Sequence, residues 1–289
     1  MQPEPKISTP GKKIEIPQLA FGLYKIPDNE EGERIILNAI RHGYRHFDGA
    51  SFYGNEATFG RALKKSGIPR KEFFITGKVW NDAVKSGRAA VRASVEHSLI
   101  EAGCDYFDLF LIHWPVPGCF CEAYKELESL FKEGRLRALG VSNFDQQEYE
   151  ELLRSGIEVP VTCNQLEVSP VMYRKTLVDY FHERNVVVAA YKPLQRGGAL
   201  KNELILEIAE RYRVTPAQVM SRWGLQKGLL VASKSSSVVR MMENRNVFHF
   251  QLRDDDIGKL DALTSQDALG QREEHEENVN VRPPKERIN

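Results

Sequence analysis

The sequence predicts a (β/α)8 barrel, the TIM-barrel architecture, and three observations carry that expectation. Eight compact apolar runs recur, charged segments with helical spacing separate them, and no linker interrupts the alternation. The runs are LAFGLY (19–24), YRHFD (44–48), FFITGKV (73–79), DYFDLFLIH (105–113), LRALGVS (136–142), VTCNQLE (161–167), NVVVAAY (185–191) and LLVASKS (229–235). Each is too short and continuous for an amphipathic helix and suits a strand buried on both faces. A doubly wound sheet competes at this level. It usually carries a glycine-rich turn after its first strand, and G-x-G-x-x-G occurs nowhere in the sequence.

The elements follow in order. Before the first barrel strand, ISTPGKKIEI (7–16) reads as a β-hairpin turning at Pro10 and Gly11 and capping the barrel bottom. In SGRAAVRASVEHSLIEAG (86–103), Val91, Val95, Leu99 and Ala102 share one helical face and Gly103 supplies the stop. In VTPAQVMSRWGLQKG (214–228), Thr215 is the expected N-cap and Pro216 the first-turn residue, with Val219 and Trp223 facing inward. The polar, proline-bearing segment from about residue 266 to 289 reads as a frayed end or as a flap near the active-site mouth. One barrel domain over residues 1–289 is expected.

Forty basic and forty acidic side chains leave no formal net charge, which argues against broad capture of nucleic acid or of an anionic membrane. The first residues lack the apolar core of a secretory signal, and no apolar run approaches spanning length. A soluble cytoplasmic monomer is the expectation. The four cysteines, Cys104, Cys119, Cys121 and Cys163, do not read as a disulfide framework in a chain this long. Cys119 and Cys121 are spaced either as two free thiols on a loop or as a metal- or oxidant-responsive pair. No metal is called for.

Barrel chemistry gathers at the C-terminal ends of the strands. Asp48 closes the second barrel strand, with Tyr53 on the loop that follows; Lys78 ends the third and His113 the fourth. A phenol, with an ordinary pKa near 10, is a poor proton donor to a carbonyl at neutral pH. An ammonium beside it favours the phenolate, and a carboxylate keeps a buried ammonium charged. The expected arrangement is therefore Asp48 supporting Lys78, and Lys78 lowering the pKa of Tyr53. His113 would donate to the substrate oxygen. Lys78 as a Schiff-base amine is a rival use of the same residue.

These residues carry a resemblance. FDGASFYGNE (47–56), ITGKVW (75–80) and DLFLIHWP (108–115), then GRLRALGVSNF, CNQLEVSP and KSSSVVRMMEN, resemble the ordered motifs of an aldo-keto reductase. The likeness runs from about residue 7 to about 265. It implies NAD(P)H bound across the barrel top without a Rossmann domain, and reduction of a small carbonyl substrate by direct hydride transfer. Tyr53 becomes the general acid, tuned by Lys78 and Asp48, with His113 orienting the carbonyl. Ser142, Asn143 and Gln165 match the positions that hold the nicotinamide carboxamide, and Tyr191 the aromatic that stacks on the ring. Ser142-Asn143 also reads as a helix cap before DQQEYEELL. Lys234, Ser235 and Arg240 match a 2′-phosphate site, with Glu243 and Asn244 at the adenine end, so NADPH is the expected cofactor.

Some positions depart from the family pattern. Lys192 stands where a small hydroxyl residue commonly contacts the pyrophosphate, VASKS replaces I-P-K-S, and GLY at 22–24 replaces G-T-W or G-T-Y. The loop after His113 is short, which implies an open pocket walled by Tyr24, Trp80 and Trp114. Small aldehydes, ketoacids, dicarbonyls or quinones suit it. The resemblance also admits a cofactor-binding regulatory subunit with little turnover.

Overall fold

The computed structural model describes residues 5–8, 14–270, 272 and 279. All eight apolar runs become strands of one closed parallel barrel: β3 (Leu19–Gly22), β4 (His46–Asp48), β5 (Phe74–Val79), β6 (Leu109–Ile112), β7 (Leu139–Ser142), β8 (Cys163–Glu167), β9 (Val187–Tyr191) and β10 (Leu230–Ser233). The ring closes where Val231 of β10 pairs with Leu19 of β3. Most strands stop short of the runs that announced them. Leu23 and Phe107 lie just outside the strand bounds yet are buried and still bonded to the neighbouring chain: the Leu23 N–H donates to the Asp48 carbonyl (2.9 Å) and the Phe107 N–H to the Arg135 carbonyl (3.0 Å).

The floor of the barrel is covered as expected. β1 (Lys6–Ser8) and β2 (Glu15–Pro17) pair antiparallel, and Ile16 joins the interior cluster with Ile7 and Ile14 packed beside it. The turn expected at Pro10 and Gly11 lies outside the described residues.

Helices wrap the outside: α1 (Glu30–Arg41), α2 (Glu56–Ser66), α3 (Asn81–Lys85), α4 (Arg88–Glu101), α5 (Phe120–Lys132), α6 (Gln146–Arg154), α7 (Lys175–Glu183), α8 (Glu203–Tyr212), α9 (Pro216–Gln226), α10 (Val238–Arg245) and α11 (Asp254–Asp261). On α4, Val91, Val95 and Leu99 are buried, and Ala102 just beyond it is too; Gly103 takes φ +60° at the stop. The start of α9 is a capping box: the Thr215 side chain accepts from the Gln218 N–H and the Gln218 side chain from the Thr215 N–H. No helix among the described residues is long and apolar enough to cross a membrane.

Alternation along the strands positions everything that follows. On β4, Phe47 joins the layer between strands and helices, whereas His46 and Asp48 face the barrel axis. On β5 the axial series is Phe74, Thr76 and Lys78; on β6 it runs Leu109, Leu111 and then His113. On β8 it is Cys163, Gln165 and Glu167, and on β9 Val187, Ala189 and Tyr191. Lower positions of each series are mostly apolar or small, and upper ones polar. The interior is a hydrophobic plug with a polar top.

Candidate active site

Lys78 is the centre of the polar top. Fully buried, its Nζ donates to Asp48 Oδ1 at 2.8 Å, to the Gly49 carbonyl at 2.7 Å and to Tyr53 Oη at 3.3 Å. Three donors meet three acceptors, which leaves the amine no open approach for Schiff-base chemistry. Tyr53 ends a short 3₁₀ turn, Ser51–Tyr53, closed by Gly54 at φ +63°. The turn is pinned at both sides. Ser51 Oγ donates to the Lys78 carbonyl (3.1 Å), and Asn55 Nδ2 donates to the carbonyls of Leu23 (2.9 Å) and Ile26 (2.8 Å).

Burial governs the protonation of this group. It lowers the Lys78 pKa from its ordinary value, with Asp48 opposing that shift. Tyr53 departs from expectation: burial pushes its phenol well above 10, and Asp48 and Tyr24 push the same way. The sequence-based lowering overlooked how densely the ring is packed. At rest the phenol is firmly protonated, which is the form an acid needs. Lys78 can act on it only as negative charge develops on the oxygen.

His113 follows β6, its N–H donating to the Val79 carbonyl at 3.1 Å. Burial, and secondarily the charge of Lys78, drives its pKa well below 6.5, so the ring is neutral. Its buried Nδ1 meets no hydrogen-bond partner among the described residues. A neutral ring carries one proton, and an enclosed, unpartnered N–H is costly, so we assign the proton to Nε2. The ring edge faces Tyr53 (5.8 Å between centroids), Trp80 (4.9 Å) and Phe52 (6.4 Å).

Next to this group lies an amide-rich shelf. Asn143, in the left-handed region at φ +64°, donates from Nδ2 to the His113 carbonyl (3.0 Å) and to Ser142 Oγ (3.1 Å). Ser142 Oγ donates to the Gln165 carbonyl (3.0 Å), and Tyr191 Oη donates to Asn143 Oδ1 (2.8 Å). Gln165 Nε2 donates to Asp48 Oδ1 at 2.8 Å, which ties the shelf to the lysine–carboxylate pair. No spacing of residues announces that link, which joins positions 117 apart. The cap of α6 is Asp145, in a capping box with Glu148, so the alternative reading of Ser142-Asn143 as the cap is corrected.

The other candidates spread outward. Lys234 and Arg240 are exposed near the start of α10, Ser235 and Asn244 are buried, and Glu243 is half-buried. Ser235 Oγ is engaged with the Ser237 backbone. The Lys234 ammonium is pushed down by partial burial and then by the charges of Arg240 and Lys25. Among the described residues none of these three cations forms an ion pair, so their repulsion is of the kind a phosphate relieves. Lys25 is a cation the sequence reading missed.

At the mouth, Tyr24 packs 5.2 Å from Tyr53, and Phe52 stacks on Trp80 at 3.8 Å. Phe52 is 50% exposed and was overlooked, although its place beside Tyr53 and its aromatic type were both visible. Trp114 is buried, with the Arg272 guanidinium 5.3 Å from its ring centroid. Lys192, the departure from pattern, takes φ +49° and pairs with Glu167 at 2.8 Å. Cys119 and Cys121 are half-buried free thiols at the start of α5, and burial raises the Cys121 pKa.

A closed parallel barrel whose rim gathers a phenol, an ammonium, a carboxylate and an imidazole is built to protonate a polarised oxygen. The chain belongs to the aldo/keto reductase family, which it matches over residues 18–265, and by class it is an NAD(P)H-dependent carbonyl reductase. It is 38% identical over 257 residues to the glyoxal reductase of Bacillus subtilis, covering 89% of this chain and 92% of that one. Over 259 residues it is 37% identical to a putative methylglyoxal reductase of Salmonella typhi, covering 88% and 92%. Among solved structures it is similar to a Bombyx mori aldo-keto reductase in complex with NADP. The TM-score is 0.83 at 27% identity, covering 91% and 94% of the two chains.

Proposed function

We propose that this chain reduces small aldehydes and ketones, α-dicarbonyls foremost, with NADPH and with Tyr53 as the general acid. The observation that carries the reading is the contact of Tyr53 Oη with the Lys78 ammonium, itself fixed by Asp48, beside a neutral His113. When bound, the reduced nicotinamide supplies a hydride to the carbonyl carbon. Tyr53 gives its proton to the carbonyl oxygen, and Lys78 stabilises the phenolate left behind. His113 donates from Nε2 and fixes the oxygen's position before the proton moves. Ser142, Asn143 and Gln165 offer the donors and acceptors an amide needs, and Tyr191 offers a face for a planar ring.

Aromatic walls around a single hydrogen-bonding centre suit small carbonyls in general, and the α-dicarbonyl preference rests on relatives named for glyoxal and methylglyoxal. The choice of NADPH rests on the cations Lys25, Lys234 and Arg240, which form no ion pair among the described residues. Glu243 and Asn244 are assigned to the adenine end, and Tyr24, Trp80 and Trp114 to the substrate walls.

The test is NADPH oxidation across a carbonyl panel, repeated with Tyr53→Phe. The variant is expected to bind NADPH as the wild type does and to turn over at least about a hundredfold more slowly. Turnover retained by Tyr53→Phe removes the acid, whereas tight NADPH binding with no turnover by the wild type makes the chain a cofactor-binding subunit. For the cofactor choice, Arg240→Ala is expected to weaken NADPH binding by about tenfold or more and NADH binding little. Equal losses would defeat the phosphate assignment.

A further inference from the structure

One side chain stands inside the shelf that is not part of the barrel. Arg272 comes from the segment after α11 and is only 3% exposed. Its Nη2 donates to Asn143 Oδ1 at 2.8 Å, and its Nη1 reaches Glu167 Oε2 at 3.3 Å. The guanidinium carbon lies 5.8 Å from the Tyr191 ring centroid and 5.3 Å from that of Trp114. Asn143 and Tyr191 are the residues assigned above to the carboxamide and the ring of nicotinamide. A guanidinium is planar, cationic and rich in N–H donors; it stacks on aromatic faces and donates to an amide oxygen. Those are the properties by which a carboxamide-bearing pyridine ring would be recognised at the same place.

We propose that Arg272 is an internal competitor for the nicotinamide end of the cofactor, an inference that rests on the cofactor reading given above. The side chain and the ring want the same acceptor and the same aromatic face, so one leaves when the other docks. The tether makes this competition effective. Thr264 anchors the start of the segment: its Oγ1 donates to the Pro170 carbonyl (3.2 Å) and accepts from the Tyr173 N–H (2.6 Å). A ligand held a few residues from a fixed anchor acts at high effective concentration. The phosphate cations Lys25, Lys234 and Arg240 make none of the Arg272 contacts, so the adenosine end of the cofactor can dock while Arg272 is still seated. Glu167 keeps Lys192 as a partner when Arg272 withdraws.

The experiment measures binding of NADPH and of adenosine 2′,5′-bisphosphate, by calorimetry, to the wild type and to Arg272→Ala. An internal occupant seated two-thirds of the time weakens apparent affinity about threefold, because only the vacant fraction can receive the nicotinamide end. Arg272→Ala is therefore expected to bind NADPH about threefold or more tightly, and to bind the bisphosphate, which has no nicotinamide, as the wild type does. NADPH affinity that is unchanged or weaker overturns the proposal and makes Arg272 a bystander or a contact that helps. Equal tightening for both ligands also overturns it, since the effect would not be local to the nicotinamide end. An Arg272→Ala variant that still binds NADPH no more tightly than the bisphosphate overturns the nicotinamide assignment itself, a failure distinct from the others.

Discussion

Two histidines face the axis of this barrel, and the difference between them separates its floor from its rim. His46, low on β4, is held at both nitrogens: Nδ1 donates to the Pro17 carbonyl of the hairpin (3.1 Å), and Thr76 Oγ1 donates to Nε2 (2.9 Å). His113, at the top, has a buried nitrogen with no partner among the described residues. Both rings are neutral because burial disfavours the cation. At the floor every polar atom of the ring is matched, and the histidine locks the hairpin to the barrel. At the rim the ring is left with capacity to spare beside a firmly protonated phenol. A matched polar group contributes to stability, whereas Nε2 of His113, the nitrogen assigned the proton and one for which no partner appears among the described residues, is available for a ligand. A groove of about 570 Å³ also lies at the floor, where Lys6 pairs with Glu15 and Arg137 with Asp108, and none of the rim residues lines it.

The largest effect expected is at the rim. Lys78→Met removes the partner of a buried Asp48 and should cost about 3–5 kcal/mol in urea unfolding, together with nearly all activity. Adding Asp48→Asn to it should restore part of the stability and none of the turnover. If the single variant unfolds at the wild-type urea concentration, the lysine–carboxylate pair is not holding the rim together.

The histidines give a crossed pair of intermediate size. His46→Gln is expected to lose about 1–3 kcal/mol of stability and to keep its kcat within about twofold. His113→Gln is expected to lose about a hundredfold or more in kcat, with little change in stability. Acid sharpens the contrast. The folded pKa of His46 is lowered to about 4 from 6.5, so the unfolded chain binds the extra proton below about pH 6.5. Its contribution is whole above that pH and is lost progressively as the pH falls to about 4, by about 3 kcal/mol at most. Wild-type stability should therefore fall more steeply through this window than that of His46→Gln. Parallel curves for the two proteins would mean that His46 is charged in the fold and that floor and rim do not differ as described.

The architecture was legible because each barrel strand is buried on both faces and so writes a continuous apolar run. Strand ends were not legible, since residues such as Leu23 and Phe107 fall outside the regular strands yet stay buried and backbone-bonded to the neighbouring chain, so the apolar run does not stop where the strand does. The rim quartet could be read because period-two alternation puts Asp48, Lys78 and His113 on the axial face at the ends of successive strands. What stayed hidden arises from ring closure. Gln165 and Asp48 are 117 positions apart and meet only when β8 comes round opposite β4. Arg272 reaches Asn143 across 129 positions, through a segment whose polar composition suggested only a frayed end or a flap. The direction of the Tyr53 shift depends on packing density around the ring, which no spacing of residues reports.

The smallest effect tests the boundary of the rim. Phe52 lies against Trp80 with an interplanar angle of 18°, yet half of it faces solvent, so it adds little to the core. An aromatic contact of this kind is worth about 0.5–1.5 kcal/mol to a planar ligand, or roughly two- to tenfold in affinity. Phe52→Ala is accordingly expected to raise KM for an aryl aldehyde by that factor, to leave kcat near the wild-type value, and to unfold at the same urea concentration. For glyoxal, which has no ring to stack, KM should barely move. A fall in kcat comparable to that of His113→Gln would instead place Phe52 among the groups that orient the carbonyl, because its ring edge meets His113 at 6.4 Å and could hold that imidazole in place.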